Sequence, residues 1–207
     1  MDGHVMKVAA FNGSPRKGGN TESLLWEALR PVEYAGHDVA KFNLNEMSIK
    51  PCQDCGGCKE SGVCVWKDDM TLVASAIREA DRVILASPAF FFALSAQAKA
   101  MIDRCQAFWC EKYLLKRPIP EGPHGRSGLL LLVGGMKKEI GIECANATAT
   151  AFFRTISVPK HETLSFLGID EKGAICSHKT AFSDAYLAGR RLIGLSEGEK
   201  GAAVDGP

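Results

Sequence analysis

Four of the chain's eight cysteines, Cys52, Cys55, Cys58 and Cys64, fall in the stretch PCQDCGGCKESGVC at 51–64, spaced C-x2-C-x2-C-x5-C. In a reducing compartment, thiols this dense bind metal or act in redox chemistry more often than they pair as disulfides. The two even steps resemble the opening of a loop that folds round an iron–sulfur cluster, each thiolate reaching one iron. Gly56, Gly57 and Gly62 suit a backbone that must wrap tightly. A tetrahedral zinc site is the main alternative, although structural zinc usually takes two separated C-x2-C pairs, and an empty reduced site or disulfides remain as further readings. Cys105, Cys110, Cys144 and Cys176 are scattered and receive no role, since free cysteine is often simply buried.

A second group of residues points to an anion. In GSPRKGGNT at 13–21 the glycines let backbone N–H groups turn inward, Ser14, Asn20 and Thr21 offer side-chain hydrogen bonds, and Arg16 adds charge. The helix expected to follow presents its positive N-terminus to the same place. The loop is suited to a phosphate. It is not a Walker A loop, because Gly19 and Asn20 stand where Lys and Ser/Thr are required, and it lacks the dinucleotide pattern G-x-G-x-x-G, although Glu46 lies loosely at the place of a ribose-binding acid.

Other chemistry is poorly represented. The five histidines have no paired spacing and form neither a Ser-His-Asp nor an H-E-x-x-H arrangement. Asp68-Asp69 reads as a helix start, and no side-chain acid or base is expected to be catalytic.

These groups need a scaffold. Residues 5–11 form an apolar run that stops at Asn12-Gly13, as a buried parallel strand does. A helix follows from about Thr21, with Asn20 as its cap, Gly36 as its stop and Pro31 kinking it or ending it early. A second strand at 38–44 leads into the cysteine segment, and a helix over 68–80 follows. RVILASP at 82–88 is the third strand, followed by a helix that Ser95 caps. SGLLLLVGG at 127–135 is the fourth strand, 143–156 a weaker helix, HETLSFLG at 161–168 the fifth strand, and 183–195 the last helix. Strands alternating with helices predict an α/β fold with a parallel sheet and right-handed crossovers. Ligands in such sheets sit beyond the carboxyl ends of the strands, where the loops 12–20, 87–95 and 134–142 fall.

The bulk numbers are those of a soluble globular protein: 207 residues, 46% hydrophobic, 24% charged and a net charge of +1. The near-zero charge argues against nucleic acid as a partner, and no apolar run is long enough to span a membrane. Nothing in MDGHVMKVAAFNG reads as a signal peptide, which makes the expected location cytoplasmic.

FNGSPRKGGNT resembles the FMN-phosphate loop of the flavodoxin-like NAD(P)H-dependent FMN reductases, in particular the iron-sulfur flavoproteins. ASPAFFFALSAQAKAMIDR at 86–104 resembles that family's second signature, and GIDEKGAI at 168–175 its C-terminal segment. The resemblance implies a doubly wound five-stranded parallel sheet in the order 2-1-3-4-5, with the cysteine-rich loop after strand 2. It implies an FMN-binding domain over 1–195 that includes the cysteine loop 50–66; the polar, Gly-rich tail at 196–207 is expected to be flexible from its composition. By position, Ser14, Arg16, Asn20, Thr21 and Ser23 would hold the FMN phosphate. Pro88, Ala89, Phe90 and Phe91 would line the flavin ring, and Gly134 and Gly135 would admit its far edge. Phe90 stands where the family commonly carries Tyr, which removes a hydroxyl but leaves ring packing intact. Phe90, Phe91 and Phe92 cannot all face one core, so at least one is expected to meet a ligand or a partner chain.

The same resemblance implies that Cys52, Cys55, Cys58 and Cys64 hold a 4Fe-4S cluster. The chain would then relay electrons between a ferredoxin-like donor and an acceptor, as a homo-oligomer, dimer or tetramer. The rival expectation is an NAD(P)H-dependent FMN or quinone reductase whose cysteine loop binds zinc or nothing. A third is a non-catalytic flavin-binding module.

Overall fold

The run KVAAFN becomes strand β1 (Lys7–Asn12), and its side chains alternate between two cores, as the two-residue period of a strand requires. Ala9 and Phe11 join one core, Val8 and Ala10 the other. The computed structural model describes residues 5–196, so the tail expected at 196–207 lies outside the described residues except for Ser196. The other strands are β2 (Asp38–Asn43), β3 (Arg82–Phe90), β4 (Ala93–Leu94), β5 (Ser127–Gly134) and β6 (Lys160–Leu167).

Six strands form, not the expected five, and their order is β2-β1-β3-β5-β6, with β4 off this path and paired antiparallel to β3. The additional strand has a local cause. Phe91 and Phe92 take φ of 47° and 63°, in the left-handed region that reverses a chain. The backbone therefore turns at the end of β3 and lays Leu94 against Ala89. All other pairings are parallel.

Helices cover both faces. On one side α1 (Asn20–Tyr34) and α6 (Ala181–Leu192) pack together over Ile84, Leu129 and Leu131. On the other, α2 (Met70–Glu79), α3 (Ala96–Arg104) and α5 (Ile140–Thr155) cover Leu85, Leu130 and Leu132. A short helix α4 (Gln106–Trp109) and a π-helical turn (Cys110–Leu114) prolong α3.

Three local expectations need correction or are met. Helix α1 continues for three residues beyond Pro31, whose ring is packed beside Gly189 of α6 and whose carbonyl accepts from the Ala35 N–H. Tertiary packing thus outweighs the local cost of proline. Asn20 is not the cap; Gly19 holds that position without a side-chain bond, and the Asn20 amide is used elsewhere. Ser95 does cap α3, its hydroxyl accepting from the Ala98 N–H.

Candidate functional site

The loop after β1 is fixed at its first residue, Gly13, by hydrogen bonds to β3 and from the start of α3. Gly13 N–H donates to the Ala86 carbonyl at 2.8 Å, and the Ser95 hydroxyl donates to the Gly13 carbonyl at 2.6 Å. A side chain at 13 would stand 2.9 Å from Ala98 Cβ, so the close approach to α3 requires glycine. Ser14 N–H donates to Asn12 Oδ1 at 3.0 Å, and Arg16 N–H to Ser14 Oγ at 3.2 Å, which folds the loop back over the start of α1. Helix geometry leaves the first N–H groups of α1 without intrahelical partners.

The C-terminal side of the molecule closes against this loop. Arg16 Nη1 donates to the Asp170 carbonyl at 3.1 Å; Asn20 Nδ2 donates to the Glu171 carbonyl at 2.8 Å while its Oδ1 accepts from Ile175 N–H. One cleft results, at the carboxyl ends of β1, β3 and β5. It is lined by Ser14, Arg16, Asn20 and Thr21, by Pro88, Ala89 and Phe90, and by Gly134 and Gly135. A Cβ on Gly135 would come within 2.9 Å of Asp170 Cβ, so this wall is a backbone surface.

Two residues expected here lie outside the cleft lining. Ser23 donates instead to the Gly19 carbonyl at 3.2 Å, inside the first turn of α1. Phe91, at the hairpin tip, is fully exposed, because its positive φ turns the side chain away from both the cleft and the core. Ile169 and Asp170 line the cleft as well. The signal for them was the segment GIDEKGAI, but no spacing within it singles out a residue.

The cysteine loop leaves β2 through a 3-10 turn (Leu44–Glu46) and returns at α2. Its two ends are tied by one ion pair. Asp68 accepts from Lys50 N–H at 3.0 Å and from Met70 N–H at 3.2 Å. Arg104, 2% exposed, grips the same carboxylate through both terminal nitrogens, at 2.6 and 3.0 Å, and donates to the Lys50 carbonyl at 2.7 Å. Asp69 accepts from Ser48 N–H at 2.7 Å, so the acidic pair is both a helix start and the clasp of the loop. Burial works to raise the Asp68 pKa, but the bonds from Arg104 and the backbone hold it below its ordinary value.

Within the loop, Asp54, Gly56 and Gly62 take positive φ of 48°, 72° and 74°, the tight wrap that the glycines anticipate. Cys52, Cys55, Cys58 and Cys64 all line one pocket. A fifth thiol joins them: Cys110 lines the same pocket, and its Sγ lies 3.6 Å from Cys58 Sγ. No sequence signal marked it, since it is 52 residues from Cys58. Burial, followed by the Cys110 neighbour, pushes the Cys58 thiol up to about 11, so it keeps its proton at neutrality unless a cation displaces it. The donor set and the glycine cradle fit a soft metal centre. The thiols are spread round the pocket, however, and among the described residues no group of three or more Cys, His, Asp or Glu is close enough to hold a metal ion.

Segment 115–126 runs from the π-helical turn to the start of β5. Arg117 donates to the Ser61 carbonyl at 3.0 Å, and Arg82 bonds the Gly125 carbonyl at 3.0 Å. None of its residues lines the β1–β3–β5 cleft.

A parallel doubly wound sheet with this cleft defines a flavodoxin-like α/β protein. The family model for NADPH-dependent FMN reductase matches residues 6–164, and the chain belongs to that family. Within it, the chain is 33% identical over 149 residues to an iron-sulfur flavoprotein of Methanocaldococcus jannaschii, covering 72% of this chain and 71% of that protein. It is 36% identical over 135 residues to one from Archaeoglobus fulgidus, covering 65% of this chain and 59% of that protein. For three curated relatives, from Archaeoglobus fulgidus, Methanocaldococcus jannaschii and Methanosarcina thermophila, the alignment spans 51% to 65% of their length. The fold is shared with a solved NAD(P)H:quinone oxidoreductase from Methanothermobacter marburgensis, with TM-score 0.71, 17% identity, and coverage of 93% of this chain and 100% of that one.

Proposed function

We propose that this chain is an FMN-dependent oxidoreductase of the iron-sulfur flavoprotein type, relaying electrons between a ferredoxin-like donor and an acceptor through FMN and a 4Fe-4S cluster. The observation that carries the reading is that Cys52, Cys55, Cys58 and Cys64 line one pocket in a chain that also builds the β1–β3–β5 cleft. In the cleft, the loop 13–19, the start of α1 and Arg16 would hold the FMN phosphate, with Ser14, Asn20 and Thr21 as hydrogen-bonding partners. Pro88, Ala89 and Phe90 would pack on the ring, and the backbone at Gly134 and Gly135 would face its polar edge. When bound, FMN exchanges electrons in pairs or singly and a cluster exchanges one, so the two together convert one currency into the other. The protein's own part is to bind, orient and set potentials; no side chain is assigned as acid or base.

The domain carrying this activity is taken as residues 1–195. The exposed side chains of Phe90, Phe91 and Phe92 support a homo-oligomer, a dimer or tetramer, which light scattering in solution tests. A cytoplasmic location accords with the free cysteines; among the described residues no helix is long and apolar enough to cross a membrane.

One observation favours a second reading. In it the chain would be an NAD(P)H-dependent FMN or quinone reductase whose loop holds zinc or nothing, and the empty form is the one favoured because no three thiols stand at metal-binding distance among the described residues. Iron, acid-labile sulfide, zinc and FMN content per chain, measured with the visible spectrum on protein purified without oxygen, separates the two. About four irons and four sulfides beside one FMN is the expected result. FMN with zinc or no metal, bleached rapidly by NADPH, establishes the second reading instead.

A further inference from the structure

The pocket that the cysteine loop closes has a wall that the loop does not supply. It is made by the end of α3, by α4 and by the π-helical turn that follows: Arg104, Gln106, Ala107 and Cys110. Arg104 is the one cation in this wall, and it is almost completely withdrawn from water. A guanidinium so deeply buried is costly unless its donors are satisfied. Asp68 and the Lys50 carbonyl satisfy the terminal nitrogens. Nε is left buried and without a hydrogen-bond partner.

Clasping the loop explains the Nη contacts but not the orphan. A buried unmade hydrogen bond costs about 1–3 kcal/mol, and lysine could tie Lys50 to Asp68 without bringing a second donor edge. The carboxylate grips the end of the guanidinium fork, so the Nε edge is the one left over. The Cys64 thiol interacts with this guanidinium, and both side chains line the cysteine pocket. A sulfur acceptor there would complete the arginine. The potential of an iron–sulfur centre is set in part by hydrogen bonds to its sulfurs and by nearby charge.

We propose that Arg104 tunes the redox centre of the cysteine loop: its Nε–H donates to a sulfur of that centre, either the Cys64 thiolate or an inorganic sulfide, and thereby favours the reduced state. The assignment rests on the iron–sulfur reading above. Reduction adds one electron and one negative charge to the centre, supplied by the donor protein of that reading. No covalent bond forms or breaks, and no proton is taken up by the guanidinium, which carries its full complement throughout. Arg104 is thus a positioning and tuning residue, distinct from the ligands.

The test compares the wild type with Arg104→Lys and Arg104→Gln, each purified without oxygen. Iron and sulfide content are measured first, and then the midpoint potential by dye-mediated titration followed by electron paramagnetic resonance of the reduced centre. The expected result is wild-type iron and sulfide in at least the Lys variant and a lowered potential in every variant that keeps its iron. The drop should be larger for Gln, which loses the charge as well as the Nε–H. A variant with full iron and an unchanged potential overturns the role of Arg104 while leaving the iron–sulfur reading standing. Loss of iron from both variants overturns it in favour of a purely structural clasp. Wild-type protein that holds FMN but neither iron nor sulfide removes the iron–sulfur reading itself, and the proposal with it.

Discussion

Cys58 Sγ and Cys110 Sγ lie 3.6 Å apart, one on the cysteine loop and the other on the π-helical turn that prolongs α4. The contact makes the site a set of five thiols, one more than a 4Fe-4S cluster needs. Cys110 is 1% exposed and held by a helical backbone, whereas the loop cysteines sit on a chain with glycine joints. The expected outcome is that Cys58→Ser lowers iron content sharply, while Cys110→Ser retains four irons per chain. Metal analysis of the two variants decides, and equal loss from both would place Cys110 among the ligands.

The phosphate loop offers a second check. Arg16 is exposed and tied to the Asp170 carbonyl, so Arg16→Ala removes one charge-assisted bond to an anion without disturbing the core. A loss of about 1.5–3 kcal/mol, or roughly tenfold to a hundredfold in FMN affinity, is expected by fluorescence titration. Riboflavin, which lacks the phosphate, should bind equally to wild type and variant. Unchanged FMN affinity in Arg16→Ala would count against the placement of the phosphate.

Gly13 makes a structural prediction with a functional consequence. An added Cβ meets Ala98 Cβ at 2.9 Å, Ser95 Oγ at 3.0 Å and the Ala86 carbonyl at 3.2 Å, none of them the end of a flexible side chain. Gly13→Ala should therefore cost about 1–3 kcal/mol of stability, as overpacking does, and weaken FMN binding by displacing the loop from β3. Denaturant unfolding and flavin titration of the same sample report both effects.

The clasp between Asp68 and Arg104 predicts a pH dependence. The folded-state pKa of Asp68 is lowered, so its stabilising contribution is complete above the unfolded value of about 3.9 and is lost as pH falls toward the folded value. Asp68→Asn leaves Arg104 buried without its counter-charge and should destabilise the fold by about 3–5 kcal/mol at neutral pH. The variant should also lose less stability than wild type between pH 5 and about pH 2. Thermal unfolding across that range checks the sign, and parallel curves for the two proteins would contradict it.

Much of the scaffold was legible in the sequence because it depends on local pattern. The strand that becomes Ser127–Gly134 and the Ser95 cap are each decided by neighbours a few residues away. The hairpin at Phe91-Phe92 was not legible, since no propensity calls for two aromatic residues at positive φ. Their conformation depends on how β4 folds back on β3. Pro31 does not end α1 early for a similar reason: the packing of α1 on α6 holds a turn that proline alone would end.

The sites divide along the same line. By itself the sequence determined which chemistry is present, because four cysteines in one short loop and a glycine-rich turn before a helix are local arrangements whose spacing limits what they can bind. Only the tertiary structure decided what surrounds that chemistry. Arg104 and Cys110 reach the cysteine pocket from a different helical segment, and Asp170 reaches the first loop from 154 residues away. Such contacts arise when apolar burial packs separate elements together, and spacing along the chain does not encode which polar groups then meet.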